Sequence, residues 1–169
     1  MTKGETATKE PMQAPDRPLS PVGVGIIAGV LALDQASKAI AETRLPLNQA
    51  FDFLPILALN RVHNIGIAFS LLASFGSLGL IVLTLAITIV VFGFWQRAED
   101  GGRIAAIGYA LIIGGAIGNL IDRLAHGYVI DFLMLHLGDR VLFVFNLADT
   151  ALTLGPVLLV LAYLMPARR

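Results

Sequence analysis

Four apolar stretches punctuate the chain: residues 22–41, 77–96, 103–122 and 146–165. Each is close to the ~20 residues that an α-helix needs to cross ~30 Å of hydrocarbon, so each predicts a membrane span. The second, SLGLIVLTLAITIVVFGFWQ, is the cleanest, and Trp95 stands at its end where an interfacial aromatic belongs. The fourth contains Gly155-Pro156, a pair tolerated in membrane helices, usually with a kink. Two shorter apolar patches, FLPILAL (53–59) and IGIAFSLLASF (65–75), cannot span and belong to the connection 42–76. A structureless connection of that size is uncommon, which predicts order at the membrane surface. VIDFLMLHL and RVLFVF, flanking Gly138-Asp139, resemble a strand pair joined by a hairpin turn.

The leading residues 1–21 are polar, Pro-containing and aperiodic, and read as a disordered tail. Residues 22–166 then form one four-helix membrane domain. Composition agrees: 56% of the 169 residues are hydrophobic and 14% charged, too little charge to cover a soluble domain of this length. A formal net charge of zero gives no support to a nucleic-acid partner. The absence of cysteine excludes disulfides, thiolate chemistry and Cys-ligated zinc.

Four spans place both termini on one side. Lys3, Lys9, Arg17, Arg97, Arg103, Arg168 and Arg169 fall on the terminal side, against Lys38, Arg44, Arg61, Arg123 and Arg140 elsewhere. The bias makes the termini cytoplasmic and turns the connections 42–76 and 123–145 outward. A rival reading takes VGVGIIAGVLAL as the core of a removable leader, with Ala39-Ile40-Ala41 as the cut. Asp34 and Lys38, which would crowd the region before that cut, stand against it.

Charge inside such spans is costly, at least ~2.5 kcal/mol per group at helix centre, and so points to function. Asp34 and Lys38 are spaced i, i+4 and share one helix face, a geometry equally consistent with a self-neutralising pair. Asp34 is the thirteenth residue of its span, toward the outer end. Asn119, Asp122 and Arg123 close the third span at spacings that let them converge, while Gly114, Gly115 and Gly118 allow close helix packing. Asn64 and Gly66 sit in the outward connection, where a plain turn is the simple alternative. Asp131 lies in the second outward connection, and Asp149 opens the fourth span with Asn146 placed to orient it or to cap the helix. All these groups belong to one side of the membrane. Two carboxylates meeting there would share a proton, one activating water and the other protonating a carbonyl oxygen. Spacing alone does not bring Asp131 and Asp149 together, so the residues by themselves give an outward-facing acid cluster.

Five segments in order resemble the lipoprotein signal peptidase (signal peptidase II) family: LDQASK (33–38), HNIGIAFS (63–70), GGAIGNLIDR (114–123), GYVIDF (127–132) and FNLADTALTLG (145–155). The resemblance covers nearly all of 22–165. It implies an all-α membrane protein of four transmembrane helices, with a small strand-rich extracytoplasmic platform and a short extracytoplasmic helical loop. It further implies an inner-membrane aspartyl endopeptidase that cuts prolipoproteins just before a diacylglyceryl-modified cysteine and is inhibited by globomycin-type cyclic peptides. By matching motif, Asp131 and Asp149 are the implied catalytic pair. Asp34, Lys38, Asn64, Asn119, Asp122, Arg123 and Asn146 are implied to support the site or hold substrate. No metal or other cofactor is implied; membrane lipid is the surrounding partner. Ile67 and Thr150 depart from the common pattern, where a small residue and serine are usual, and neither change removes a carboxylate or amide.

Two rivals make different demands. A small transporter or channel component predicts charge spread through the membrane depth. A non-catalytic scaffold predicts that the polar residues act only as interhelical glue. Neither an H-E-x-x-H nor a G-x-S-x-G motif is present to support another membrane hydrolase.

Overall fold

A computed structural model describes residues 14–66 and 76–164. Four helices, α1 (Pro21–Arg44), α2 (Gly76–Arg97), α3 (Gly102–His126) and α4 (Leu147–Leu164), alternate with four strands, β1 (Ala50–Leu54), β2 (Leu57–Asn64), β3 (Val129–Leu137) and β4 (Arg140–Phe145). All four helices are long and apolar enough to cross a membrane. They match the four apolar stretches and extend some of them, α1 by three residues beyond 41 and α3 by four beyond 122.

Local chemistry sets the ends. Ser20 accepts the Gly23 N–H at 3.1 Å ahead of Pro21, a capped start with proline in the first turn. Gly127, at φ 82°, terminates α3 by returning its N–H to the Arg123 carbonyl. Helix α4 runs through Pro156 as one element.

α3 is the central helix, and it is the one with the long buried face. Its glycines let the neighbours approach: a Cβ on Gly115 would lie 2.5 Å from the Ala148 carbonyl oxygen of α4, and one on Gly114 would lie 2.9 Å from Val30 of α1. Small residues at a helix crossing serve this purpose in membranes, where the hydrophobic effect does not drive helices together.

The strands form one antiparallel sheet in the order β1-β2-β3-β4 at one end of the bundle. The expected hairpin is there, with Leu137 opposite Arg140 and Gly138 at φ 56° in the turn. The connection 42–76 is ordered as expected through residue 66, but it is a second hairpin, turning at Pro55-Ile56. The helical loop implied by the resemblance has no place in 50–64, which is strand; residues 67–75, including Ile67, lie outside those described.

Two readings change. Trp95 is fully buried and so is not an interfacial anchor: its ring stacks on Tyr109 at 5.8 Å and its indole N–H donates to the Asp16 carbonyl at 2.7 Å. The segment ahead of α1 is part of the same arrangement. Pro18 is buried, and Arg17 donates to the Gln96 carbonyl, so residues 16–18 strap the start of α1 onto the end of α2.

Candidate active site

Asp34, Lys38, Asn119, Asp122, Asp131 and Asn146 are all buried at the sheet end of the bundle. Asp149 and Arg123 are half-buried beside them. The elements converge for identifiable reasons. The i, i+4 spacing in α1 sets the Lys38 ammonium 2.8 Å from Asp34, and α3 adds Asp122 at 2.9 Å and the Asn119 side-chain oxygen at 3.0 Å. Three acceptors therefore meet the three ammonium hydrogens, the condition under which a buried lysine is tolerated.

The two carboxylates of this cluster also hold backbone. Asp34 Oδ1 accepts the Ala148 N–H at 2.9 Å, in the first turn of α4. Asp122 Oδ2 accepts the Ile130 N–H at 3.1 Å, at the start of β3. Asp34 and Asp122 thus pin the two elements that carry Asp149 and Asp131. Gly118 gives Asp34 its room, since a Cβ there would lie 2.6 Å from Asp34 Oδ2.

Asp149 is fixed by a reciprocal cap. Asn146, just ahead of α4, accepts the Asp149 N–H through its side-chain oxygen at 2.8 Å, and Asp149 Oδ2 accepts the Asn146 N–H at 3.3 Å. Asp149 Oδ1 takes the Asn119 side-chain N–H at 2.7 Å. Asn146 Nδ2 then donates to Asp131 Oδ1 at 2.7 Å. One residue, Asn146, therefore touches both carboxylates that spacing alone could not join.

Asp131 Oδ2 accepts the Asn64 Nδ2–H at 2.8 Å. That contact depends on an irregularity in β2. Regular alternation from Leu57 and Leu59 would turn Arg61 and His63 toward Asp131. A register shift between Leu59 and Val62 inserts one residue, so Val62 pairs with Asp131 and Asn64 follows on the same face. Burial, and then the charge of Asp149, push the Asp131 carboxyl up to about 7, against the opposing hydrogen bonds of Asn64 and Asn146 and the charge of Lys38.

Arg123 donates to the Asn119 carbonyl at 3.4 Å, with its guanidinium charge in electrostatic reach of Asp149 and Asp131. All nine residues singled out from the sequence therefore lie in one neighbourhood. Gln35 was missed: its amide donates to Asp122 at 3.0 Å and to Asp34 at 3.2 Å, bridging the two anchors. The signal was an amide inside a span beside Asp34. Among the described residues the buried charged side chains, Asp34, Lys38, Asp122 and Asp131, are confined to this end. A path of charge through the membrane depth, as a transporter requires, is not what this arrangement offers.

Comparison with known proteins agrees. A family model described as signal peptidase (SPase) II matches residues 26–165. The lipoprotein signal peptidase of Mesorhizobium japonicum is 43% identical over 153 residues, 90% of each chain. That of Brucella ovis is 46% identical over 144 residues, 85% of this chain and 89% of the relative. A bacterial membrane enzyme solved in meso at 1.9 Å superposes with a TM-score of 0.76 at 25% identity, covering 93% of this chain and 97% of the other. With four span-length helices and a match over nearly the whole bundle, the chain belongs to the signal peptidase II family, multi-pass membrane peptidases that remove signal peptides from prolipoproteins.

Proposed function

We propose that Asp131 and Asp149 are the catalytic pair of an aspartyl endopeptidase. The observation that carries this reading is Asn146, whose amide donates to Asp131 at 2.7 Å while its backbone N–H meets Asp149 at 3.3 Å. Two carboxyls tied to one residue in a buried setting retain one proton between them, and Asp131, raised to about 7, is fitted to hold it. With the shared proton on Asp131, Asp149 accepts the Asn119 N–H and takes a proton from the attacking water. Asp131 protonates the scissile carbonyl oxygen as the tetrahedral carbon forms. The proton held by Asp149 then passes to the departing amine, the C–N bond breaks as one hydroxyl of the tetrahedral carbon returns its proton to Asp131, and both carboxyls regain their starting charge.

The substrates are prolipoproteins carrying a diacylglyceryl-modified cysteine, cut on its N-terminal side, and globomycin-type cyclic peptides compete with them. The enzyme lies in the bacterial inner membrane with both termini cytoplasmic and the sheet on the outer face, which puts the dyad level with the lipidated cysteine. Asp34, Lys38, Asn64, Asn119, Asp122, Arg123 and Asn146 support the dyad or contact substrate. The bundle and its sheet act as a single domain, which takes in the strap at residues 16–18 ahead of α1.

The test is cleavage of a diacylglyceryl-modified prolipoprotein by the purified protein, beside Asp131→Asn and Asp149→Asn, each shown to be folded in detergent. Cleavage before the lipidated cysteine by the native chain alone is the expected result. Turnover by either folded variant would remove the dyad.

A further inference from the structure

We propose that Lys38 is a positioning residue that sets the direction of the Asn119 side chain, and that its role is to keep an N–H, not a C=O, aimed at Asp149; the proposal rests on the dyad reading above.

A carboxamide is nearly symmetric in shape and reverses its chemistry when it flips. Asn119 is placed where that reversal matters. Its Nδ2 lies 2.7 Å from Asp149 Oδ1, while its Oδ1 receives Asn146 Nδ2 at 3.1 Å and Lys38 Nζ at 3.0 Å. In the flipped state its oxygen would face a carboxylate oxygen at that same short distance, and its NH2 would face two donors. Of the two groups on the oxygen side, Lys38 has fixed polarity in itself, whereas Asn146 depends on a further group for its sense. Asn146 is itself an amide, but an ammonium has three donors and no acceptor.

Asn146 is held separately, because its oxygen accepts the Asp149 backbone N–H at 2.8 Å, a donor that cannot change character. Two groups of fixed polarity, one ammonium and one peptide N–H, therefore determine the sense of the whole amide relay. Both carboxylates of the dyad then receive an amide N–H. Lys38 touches neither of them: its contacts are Asp34, Asp122 and Asn119. It is almost wholly buried, which separates this role from contact with substrate.

The experiment measures cleavage of a diacylglyceryl-modified prolipoprotein against pH for the native protein, Lys38→Met, Asn119→Leu and the double variant, with Asp131→Asn and Asp149→Asn as controls. Lys38→Met is expected to lower kcat roughly ten- to a hundred-fold, the range for a hydrogen bond to a charged group, with KM nearly unchanged. The pH–rate profile should move to higher pH, because the dyad loses an aligned donor together with the Lys38 charge that opposes the rise of Asp131, and the double variant separates the two. In the Asn119→Leu background, where no amide remains to orient, Lys38→Met should cost less than about a further threefold.

Additive losses, an unmoved pH profile, or a change confined to KM would each overturn the role. If Lys38→Met does not fold, the charge-balanced Asp34→Asn/Lys38→Met variant is read by the same criteria. Failure of both to fold would assign Lys38 to folding and also overturn it. Turnover by a folded dyad control would instead bring down the dyad, and the Lys38 role with it.

Discussion

Asn64 joins Asp131 to the chain that follows β2: its Nδ2 donates to Asp131 at 2.8 Å while its Oδ1 accepts the Gly66 N–H, also at 2.8 Å. Gly66 sits at φ 94°, a left-handed conformation that closes this short side-chain turn. The side chain therefore cannot leave Asp131 without opening the turn. A hydrogen bond to the charged form favours ionisation, so Asn64→Leu should hold the Asp131 proton to higher pH. We expect the alkaline fall of prolipoprotein cleavage to move upward and kcat to drop roughly tenfold or more. A variant with lowered activity but an unmoved alkaline limb would show that Asn64 acts on something other than Asp131.

The glycines of the bundle divide sharply by their surroundings. A Cβ on Gly115 would meet the Ala148 carbonyl oxygen at 2.5 Å, and backbone cannot swing aside as a side chain can. Gly115→Ala should therefore separate α3 from α4 and cost about 1–3 kcal/mol, the usual range for overpacking. Gly29 has nothing within 4 Å of its added Cβ, so Gly29→Ala should be neutral or stabilise α1 by up to about 1 kcal/mol. Thermal unfolding of both in detergent decides it, and equal effects would mean that the crossing is looser than described.

What could be read from the sequence depended on the periodicity involved. Spans are written as twenty apolar residues each, and the β3–β4 hairpin carries Gly138-Asp139 between two apolar runs. β1 and β2 lacked such marks. β1 is exposed along its length, so no buried alternation distinguishes it, and β2 changes its alternation at the bulge between Leu59 and Val62. Asp34, Lys38 and Asp122 were visible because charge inside a span is expensive, whereas Asn64 and Asp131, in the outward connections, stood out through the motifs they share with the family. Gln35, neutral and ordinary in type, carried no such mark, and neither did the meeting of Asp131 with Asp149 through Asn146. That meeting is a tertiary fact, created when Asp122 anchors β3 and Asp34 anchors α4.

The strap ahead of α1 gives a stability prediction independent of catalysis. Trp95 is buried and spends its N–H on the Asp16 carbonyl at 2.7 Å, far along the bundle from the dyad. Trp95→Phe keeps most of the ring packing but leaves that carbonyl without its donor. A loss of about 1 kcal/mol in unfolding free energy is expected, with turnover at permissive temperature unchanged. A selective loss of turnover in a variant that remains as stable as the native protein would show that the strap communicates with the site.

Asp131 also makes stability depend on pH, and the direction is opposite to that of a carboxylate in a salt bridge. Its carboxyl is raised to about 7 in the folded state, by burial first and by Asp149 second. In the unfolded chain it returns to the ordinary value near ~3.9. The folded state thus binds a proton more tightly than the unfolded one. This contribution is fully present below the ordinary carboxylate range and is lost as pH rises through about 7. Between those limits the unfolded chain releases the proton while the folded chain keeps it, and folding is progressively disfavoured. The melting temperature of the native protein in detergent should therefore fall as the pH is raised from about 4 to about 7, and flatten above that. Asp131→Asn, which keeps the shape and cannot ionise, should show a shallower decline and be the more stable of the two on the alkaline side. Parallel curves for the two proteins would mean that Asp131 ionises as readily folded as unfolded, and the shared-proton chemistry would lose its support.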